Sequence, residues 1–184
     1  MDSTLMIDTA SAVRLGKPDL PRLRELCLGC TAFYELVEAR PATTATAAEI
    51  LGPLDRKYAH GTKHVWGVES PGRLIAVAEL LQGHPSHYDW YIGLLLVAPD
   101  RRRSGLGARF CKTLLSWMAR KGAETIRLIV HQQNVDARRF WERQGFALER
   151  EVVKKSGLLE GTVSILARSV EGDRKQVVAA EGDT

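Results

Sequence analysis

The stretch that decides the fold runs from Tyr91 to Arg120 and reads YIGLLLVAPDRRRSGLGARFCKTLLSWMAR. Its first part is apolar and rich in β-forming residues, which predicts a buried strand over Trp90–Val97. A Pro-Asp pair then ends the strand, because proline has no N–H to donate and aspartate favours turns. An apolar residue recurs every fourth position after that, and this stripe predicts a helix over Gly105–Arg120: Leu106, Phe110, Leu114 and Met118.

Between the predicted strand and helix lies a basic, glycine-containing loop. The first N–H groups of a helix have no partners within the helix, and the helix dipole is positive there, so an anion is favoured. Glycine in such a loop lets phosphate oxygens approach the backbone. The residues that we expect around the anion are Arg102, Arg103, Ser104, Gly105, Leu106, Gly107 and Ala108.

Two common phosphate-binding loops do not fit this stretch. A Walker-type loop ends in Gly-Lys-Ser/Thr, whereas Gly107 is followed by Ala108 and Arg109. A dinucleotide-binding loop has three glycines and an acidic residue about twenty positions later, whereas only two glycines have the relevant spacing here. The loop instead resembles the R/Q-x-x-G-x-G/A motif of the GNAT superfamily of N-acetyltransferases, in which it holds the pyrophosphate of acetyl-CoA.

A second segment resembles the other signature of that superfamily, N-x-x-A-x-x-F-Y-x-x-x-G-F. The matching residues are Asn134, Ala137, Phe140, Gly145 and Phe146, and Trp141 stands where tyrosine is usual. Either motif alone has a simpler explanation, such as a helix cap. Because both occur in the expected order, we identify the chain as similar to GNAT enzymes over roughly residues 65–168.

The resemblance implies an α/β (α+β) fold with a mixed, mostly antiparallel sheet flanked by helices. Two parallel strands in it, here Trp90–Val97 and Thr125–Val130, diverge at their C-terminal ends. We expect a single domain over residues 1–184, with its core at about 12–168. Residues 1–10 and 170–184 are expected to be flexible.

Further elements are predicted on both sides of this core. Pattern and turn residues indicate a short edge strand over residues 12–15, helices after Asp19 and over 43–54, and a hairpin from His64 to Leu81. After the second motif we expect a helix over 136–144 and two strands that flank a loop from Lys154 to Gly161.

Acetyl-CoA is the co-substrate that the resemblance implies. Its pantetheine arm would pair with main-chain groups of Leu95 and Val97, and the N–H near Leu96 would polarise the thioester carbonyl. The pyrophosphate would bind at Arg102 and along the amides of the loop. Asn134, Ala137, Phe140 and Trp141 would contact the arm farther along, and Arg138 is either a ligand of the ribose phosphate or a solvated surface residue.

Direct transfer requires a neutral acceptor amine, so a general base must remove a proton. Glu79 is our first candidate for this base, with Asp89, His84 and His87 as alternatives; a salt-bridged Glu79 without a catalytic role is the competing interpretation. Trp141 cannot protonate the departing thiolate as tyrosine would. The thiolate then leaves unassisted, or His131 or Tyr91 serves as the acid, or Trp141 only packs along the pantetheine arm.

Composition excludes several other classes of protein. The 184-residue chain is 45% hydrophobic, and it contains neither a run long enough to span a membrane nor a leader-like N-terminus, so we expect a cytoplasmic protein. Its 26 basic and 22 acidic residues are mixed along the chain, which argues against nucleic-acid binding. Cys27 and Cys30 form an isolated C-x-x-C, and with Cys111 they are expected to be structural thiols, with no metal site.

The leading prediction is therefore an acetyl-CoA-dependent N-acetyltransferase acting on a primary amine of a small molecule or a protein. A non-catalytic acyl-CoA-binding or regulatory module of the same fold is the alternative that Trp141 supports, and a nucleic-acid-linked protein is the third. The acceptor half of the chain does not identify the amine. A homodimer is a further expectation, with the strand edge near Thr162 as its interface.

Overall fold

One mixed sheet organises the part of the chain that the computed structural model describes, residues 3–7, 10–54 and 60–170. Its strands are β1 (Thr4–Ile7), β2 (Ala10–Arg14), β3 (Thr62–Ser70), β4 (Arg73–Gln82), β5 (Asp89–Val97), β6 (Thr125–His131), β7 (Ala147–Ser156) and β8 (Leu159–Ser169). The helices are α1 (Leu20–Gly29), α2 (Thr31–Glu38), α3 (Thr46–Leu51), α4 (Leu106–Arg120) and α5 (Val135–Arg143).

The strand order is β1-β2-β3-β4-β5-β6-β8-β7, and β5 with β6 is the parallel pair among antiparallel neighbours. Helix α4 connects these two strands, because parallel neighbours need a crossover connection. This confirms the α/β fold with a mixed, mostly antiparallel sheet that the sequence predicts.

Each face of the sheet carries its own hydrophobic core. On one face α4 and α5 bury residues such as Phe110, Trp117 and Trp141 against β3–β6. On the other face α1, α2 and α3 bury residues such as Leu23 and Tyr34 against β4 and β5. Strand β5 contributes side chains to both cores, which explains why its sequence is apolar at consecutive positions rather than alternating.

The N-terminal prediction is wrong for Thr4–Ile7. These residues form the edge strand β1, with Leu5 and Ile7 buried, so the predicted edge strand near residue 12 lies one position inside the sheet. At the other end, Val170 is fully buried and its N–H donates to Glu124 O at 3.1 Å. The expectation of flexible ends for residues 1, 2, 8, 9 and 171–184 lies outside the described residues.

The C-terminal hairpin is longer than predicted. Strands β7 and β8 continue to the pair Ser156 and Leu159, so the loop expected over Lys154–Gly161 is reduced to a two-residue turn. Strand β8, which contains Thr162, lies between β6 and β7, and the exposed edge therefore belongs to β7. The dimer contact that we expected near Thr162 is not available there.

Two helices differ in extent from the sequence prediction. Helix α3 covers only Thr46–Leu51 of the predicted 43–54. Helix α1 does begin after Asp19, but the Asp19 carboxylate accepts from the Gly16 N–H at 2.8 Å instead of from the first turn of the helix. In residues 3–7, 10–54 and 60–170 no helix combines the length and hydropathy that a membrane crossing requires.

Candidate active site

The two parallel strands separate halfway along their length. Strands β5 and β6 pair from Asp89 with Thr125 to Ile92 with Leu128, while β5 continues to Val97 and β6 to His131. The backbone of β5 beyond Ile92 therefore borders an open cleft on the side that β6 leaves. This divergence is the one that the sequence predicts.

A β-bulge lies where the strands diverge. Glu79 pairs with Leu94 and Leu80 with Ile92, so Gly93 is the extra residue of β5. Glycine at this point keeps the space next to Glu79 open, since a Cβ on Gly93 would lie 3.7 Å from the carboxyl carbon of Glu79.

Beyond the bulge, alternation along β5 determines which N–H groups face the cleft. The N–H of Ala98 donates to Ile75 O in β4 at 2.9 Å, and alternate residues of a strand point the same way. The Leu96 N–H therefore points at its β4 partner Val77, which contradicts the oxyanion role expected for it. The N–H groups of Leu95 and Val97 point toward the cleft.

The cleft opens into a cavity of about 570 Å³ between the diverging strands, the first helices and the terminal hairpin. Five predicted site residues lie on its wall together with Leu95: Glu79, His131, Asn134, Ala137 and Trp141. These residues come from β4, β6 and α5, so the tertiary structure brings together positions that are up to 62 residues apart in sequence.

Glu79 is a carboxylate inside this cavity, with a quarter of its side chain exposed. Burial raises the pKa of Glu79, and the nearby Lys63 ammonium, 3.4 Å from the carboxylate, acts in the opposite direction. Lys63 is itself held by the carbonyl oxygens of Glu49 and Ile50 at 3.3 and 3.1 Å. A carboxylate with a raised pKa beside an open cleft has the property required of a general base.

His131 ends β6 and is almost fully buried. Burial and the positive charge of Lys154 lower the pKa of His131, although Glu38 acts in the opposite direction. The imidazole is therefore neutral at neutral pH, and a neutral imidazole is a poor proton donor. This weakens the expectation that His131 protonates a departing thiolate.

The loop from Arg102 to Ala108, called the anion loop after the ligand expected for it, leads into α4 as the sequence predicts. Gly105 adopts a positive φ of 79°, and Arg109 N donates to Gly105 O at 3.1 Å. Gly107 and Ala108 come before Arg109 in the first turn of α4, so their N–H groups have no acceptor within the helix. A Cβ on Gly107 would lie 3.5 Å from the Val97 side chain, which is an ordinary contact, so the protein's own atoms do not require glycine there.

The arginines of this loop are partly tied to the protein. Arg102 Nε donates to Val97 O at 3.1 Å, and the guanidinium also lies near the Cys30 thiol, where its charge opposes the effect of burial on the pKa of that thiol. Arg103 has a positive φ of 58° and forms an exposed pair with Asp136 at 3.1 Å. Arg103 remains available to a phosphate at the surface, because an exposed ion pair exchanges partners at little cost. Arg102 is exposed beside it.

Helix α5 presents the second motif to the cleft. Asn134 is its N-cap and accepts from the Ala137 N–H at 3.2 Å. A Cβ placed on Gly107 would lie 3.7 Å from the Phe140 ring, so the second motif lies directly beside the loop motif. Trp141 is buried between Phe140 and Phe146, with ring centroids 4.9 and 5.3 Å apart, and it also lines the cavity.

Of the alternative candidates for the general base and the acid, two line the cavity and two do not. Asp89 is paired with Arg127 at 2.5 Å, and neither Asp89 nor His87 lines the cavity, whereas His84 and Tyr91 do. Arg138 turns toward β8, where it donates to Ser164 Oγ at 3.0 Å, rather than toward the anion loop.

Sequence reasoning missed Lys63 and the hairpin residues Lys154 and Ser156, which also line the cavity. No local motif marks them, because they reach the site only through long-range strand pairing.

Cys27, Cys30 and Cys111 are buried free thiols, and burial raises the pKa of Cys27 and Cys30. Among the residues that the structure describes, no group of three or more histidine, cysteine, aspartate or glutamate side chains could hold a metal ion.

Comparison with known proteins agrees with this geometry. A model of the acetyltransferase (GNAT) family matches residues 30–146. No curated protein matches the chain significantly.

Many solved structures share the fold. A probable GNAT-family acetyltransferase from Chromobacterium violaceum has a TM-score of 0.77 at 15% identity, covering 95% of this chain and 94% of that one. A ribosomal-protein-S18-alanine N-acetyltransferase from Escherichia coli has a TM-score of 0.63 at 20% identity, covering 88% and 94%. A ribosomal L7/L12 α-N-protein acetyltransferase in complex with coenzyme A has a TM-score of 0.75 at 14% identity, covering 90% and 97%. At such identities the likeness shows the fold alone.

Proposed function

This chain belongs to the acetyltransferase (GNAT) family, and from that membership we propose that it is an acetyl-CoA-dependent N-acetyltransferase that transfers acetyl directly to a primary amine. The observation that carries the proposal is the position of Glu79. Its half-buried carboxylate lines the same cavity as Leu95, whose N–H points into the cleft.

The residues around the cleft fit acetyl-CoA as the co-substrate. The N–H groups of Gly107 and Ala108, with the guanidinium groups of Arg102 and Arg103, are donors suited to a pyrophosphate. Ser104, Gly105 and Leu106 complete this loop. The cleft-side backbone of Leu95 and Val97 offers the pairing partners that an extended pantetheine arm needs, and Asn134, Ala137, Phe140 and Trp141 border its path.

When bound, acetyl-CoA supplies a thioester whose acetyl carbon an amine can attack. In this proposal Leu95 takes the place that we had expected for Leu96, and its N–H polarises the thioester carbonyl. Glu79 accepts the proton that the acceptor ammonium must lose. As the tetrahedral adduct collapses, the nitrogen loses its second proton to solvent and becomes the amide nitrogen. The sulfur leaves as a thiolate and takes a proton from solvent, which a thiol with an ordinary pKa of about 8.5 permits.

A non-catalytic acyl-CoA-binding module remains the second candidate, and Trp141 is the observation that favours it. The indole is packed between two phenylalanine rings and cannot donate a proton. This candidate predicts cofactor binding without turnover of any amine.

The pH dependence of the rate of CoA release tests the role of Glu79. The base must be ionised, so kcat rises with pH through the Glu79 pKa, and because burial raises that pKa the midpoint should lie above the ordinary value of 4.5. Lys63→Gln removes the charge that favours the carboxylate and should move the midpoint to higher pH. Glu79→Gln should lower kcat by about 10²–10⁴-fold and leave acetyl-CoA affinity unchanged. Wild-type turnover in Glu79→Gln would remove this residue as the base.

A further inference from the structure

The inner half of the cavity, beyond the diverging strands, is the space that remains for an acceptor. It is bordered by apolar side chains from α2 and the α3 region, namely Phe33, Val37, Ile50, Pro53 and Leu54. Ser156 and Lys154 of β7 border the opposite side. A volume of about 570 Å³ is typical of small-ligand sites, and part of it must also take the acyl group.

Contacts of the C-terminal end of α2 with the β7–β8 turn and with the loop before α5, together called the seam, close this half along one side. The Leu158 N–H, in the turn between β7 and β8, donates to Glu38 O at the end of α2 at 2.9 Å. The Gln133 side chain donates to Leu36 O at 2.5 Å, so the loop before α5 is tied to the same end of α2. Both contacts use backbone acceptors that helix α2 leaves unpaired at its C-terminus.

Gly157 makes the close approach at this seam. It has a positive φ of 59°, and a Cβ on it would lie 2.6 Å from Glu38 O and 2.7 Å from Glu38 Cβ. No side chain fits at that distance without moving the hairpin or α2. A polypeptide laid across this side of the cavity would have to displace the turn from α2, and the Leu158 N–H bond to Glu38 O and the close contact at Gly157 oppose that.

The charges inside the cavity argue against a polycationic acceptor. The Glu79 carboxylate is paired with Lys63 at 3.4 Å, and the Glu38 carboxylate with Arg40 at 2.8 Å. Lys154 adds a further positive charge to the wall, and among the residues that the structure describes the one other carboxylate on this wall, Glu49, is exposed. A second ammonium group would therefore find little net attraction next to the apolar wall.

We propose that the acceptor is a small monoamine with an apolar carbon skeleton, admitted to a pocket that the contact of α2 with the β7–β8 turn closes against peptides. This rests on the proposed acetyltransferase function. The amine would reach Glu79 while its apolar body contacts the α2 and α3 walls.

The test measures CoA release and acetylated product with four acceptors: 2-phenylethylamine, spermidine, kanamycin and a lysine-containing peptide. The expected result is a kcat/KM for 2-phenylethylamine at least tenfold above the other three. Preference for the peptide would overturn the closed pocket, and preference for spermidine or kanamycin would overturn the apolar monoamine. Transfer to none of a wide set of amines, with acetyl-CoA still bound, would overturn the proposed function itself.

Two variants on α2 locate the pocket. Val37→Trp fills the apolar wall and should raise the KM for 2-phenylethylamine at least tenfold while acetyl-CoA affinity is unchanged. Ala32→Trp is the control, because it places the same large side chain on the same helix at an exposed residue that lies neither on the cavity wall nor at the seam. It should leave the KM within twofold. Equal effects of the two substitutions would contradict the assignment.

A third variant tests the seam. Gly157→Ala places a methyl group against Glu38 O and should lower the ratio of kcat/KM for the monoamine to that for the peptide by at least threefold. Retained acetyl-CoA binding shows that the variant is folded. An unchanged ratio in a folded variant would contradict the role of the seam.

Discussion

Among single residues, Gly107 is a glycine that the packing of the protein itself does not require, in contrast to Gly67. Gly67 in β3 is required by packing, since a Cβ there would lie 2.8 Å from a methyl group of Leu15. At Gly107 the nearest protein atom would be 3.5 Å away, so alanine would fit the folded chain. What glycine provides at position 107 is open access to the first N–H groups of α4 from outside the protein.

Gly107→Asp therefore should abolish measurable acetyl-CoA binding with little loss of stability. The carboxylate would occupy the space assigned to the pyrophosphate and repel its charge. Isothermal titration calorimetry measures the affinity. Gly29→Asp is a control with the same chemistry, because a Cβ on Gly29 would meet no atom within 4 Å and this residue lies at the end of α1. Unchanged affinity in Gly107→Asp would contradict the position of the loop site.

The sequence predicts Gly105, Gly107 and Glu79 as candidate site residues because each carries a local signal, a glycine spacing or a charge within an apolar strand. It placed the oxyanion donor at Leu96, one position away from the cleft-facing backbone of Leu95. The reason is geometric: N–H groups alternate sides along a strand, and the bulge at Gly93 shifts which residues face which side. A sequence pattern does not reveal a bulge of one residue.

Among the elements, α5 has a structural role and also borders the cleft. Its first motif residue, Asn134, caps the helix, and its buried Trp141 packs the helix against Phe146, which follows it. The cap is thus the structural explanation of the conspicuous Asn-x-x-Ala pattern, and it orients the side of α5 that faces the cleft.

Asn134→Ala should lower the free energy of unfolding by about 1 kcal/mol, the usual cost of losing a side-chain N-cap. Urea denaturation followed by circular dichroism measures it. Asn134→Asp replaces the amide oxygen with a carboxylate oxygen that can still accept from the Ala137 N–H. The free energy of unfolding of this variant should therefore stay within about a few tenths of a kcal/mol of the original protein. Equal losses in both variants would show that the cap is not what Asn134 contributes.

For the whole molecule, the order of strands decides which elements surround the proposed acceptor pocket. Strands β7 and β8 follow β6 in the sheet, so their turn reaches back over the cleft and touches α2. The same order places β8 in the interior and leaves β7, with Val153 71% exposed, as the edge. Any homodimer formed through a sheet edge at this end would use β7.

Acetyl-CoA should raise the melting temperature of the whole chain. A ligand that binds only the folded state at a hundred times its Kd adds about 2.7 kcal/mol, or roughly 5–10 °C for a chain of this size. Free CoA should also raise it, whereas ATP, which lacks the pantetheine arm, should not. Differential scanning fluorimetry measures the shift. No shift with either CoA species would contradict cofactor binding at the cleft.

The sequence by itself determined the family resemblance, the central strand, the anion loop and the helix that follows it. Each depends on residues close together in the chain, whose periodicity, glycine spacing and caps act locally. Only the tertiary structure decided the direction of the Leu96 N–H, the pairing of Lys63 with Glu79, the edge strand β1 and the contact of Gly157 with Glu38. These depend on strand register and on contacts between residues far apart in sequence, and local patterns carry no information about either.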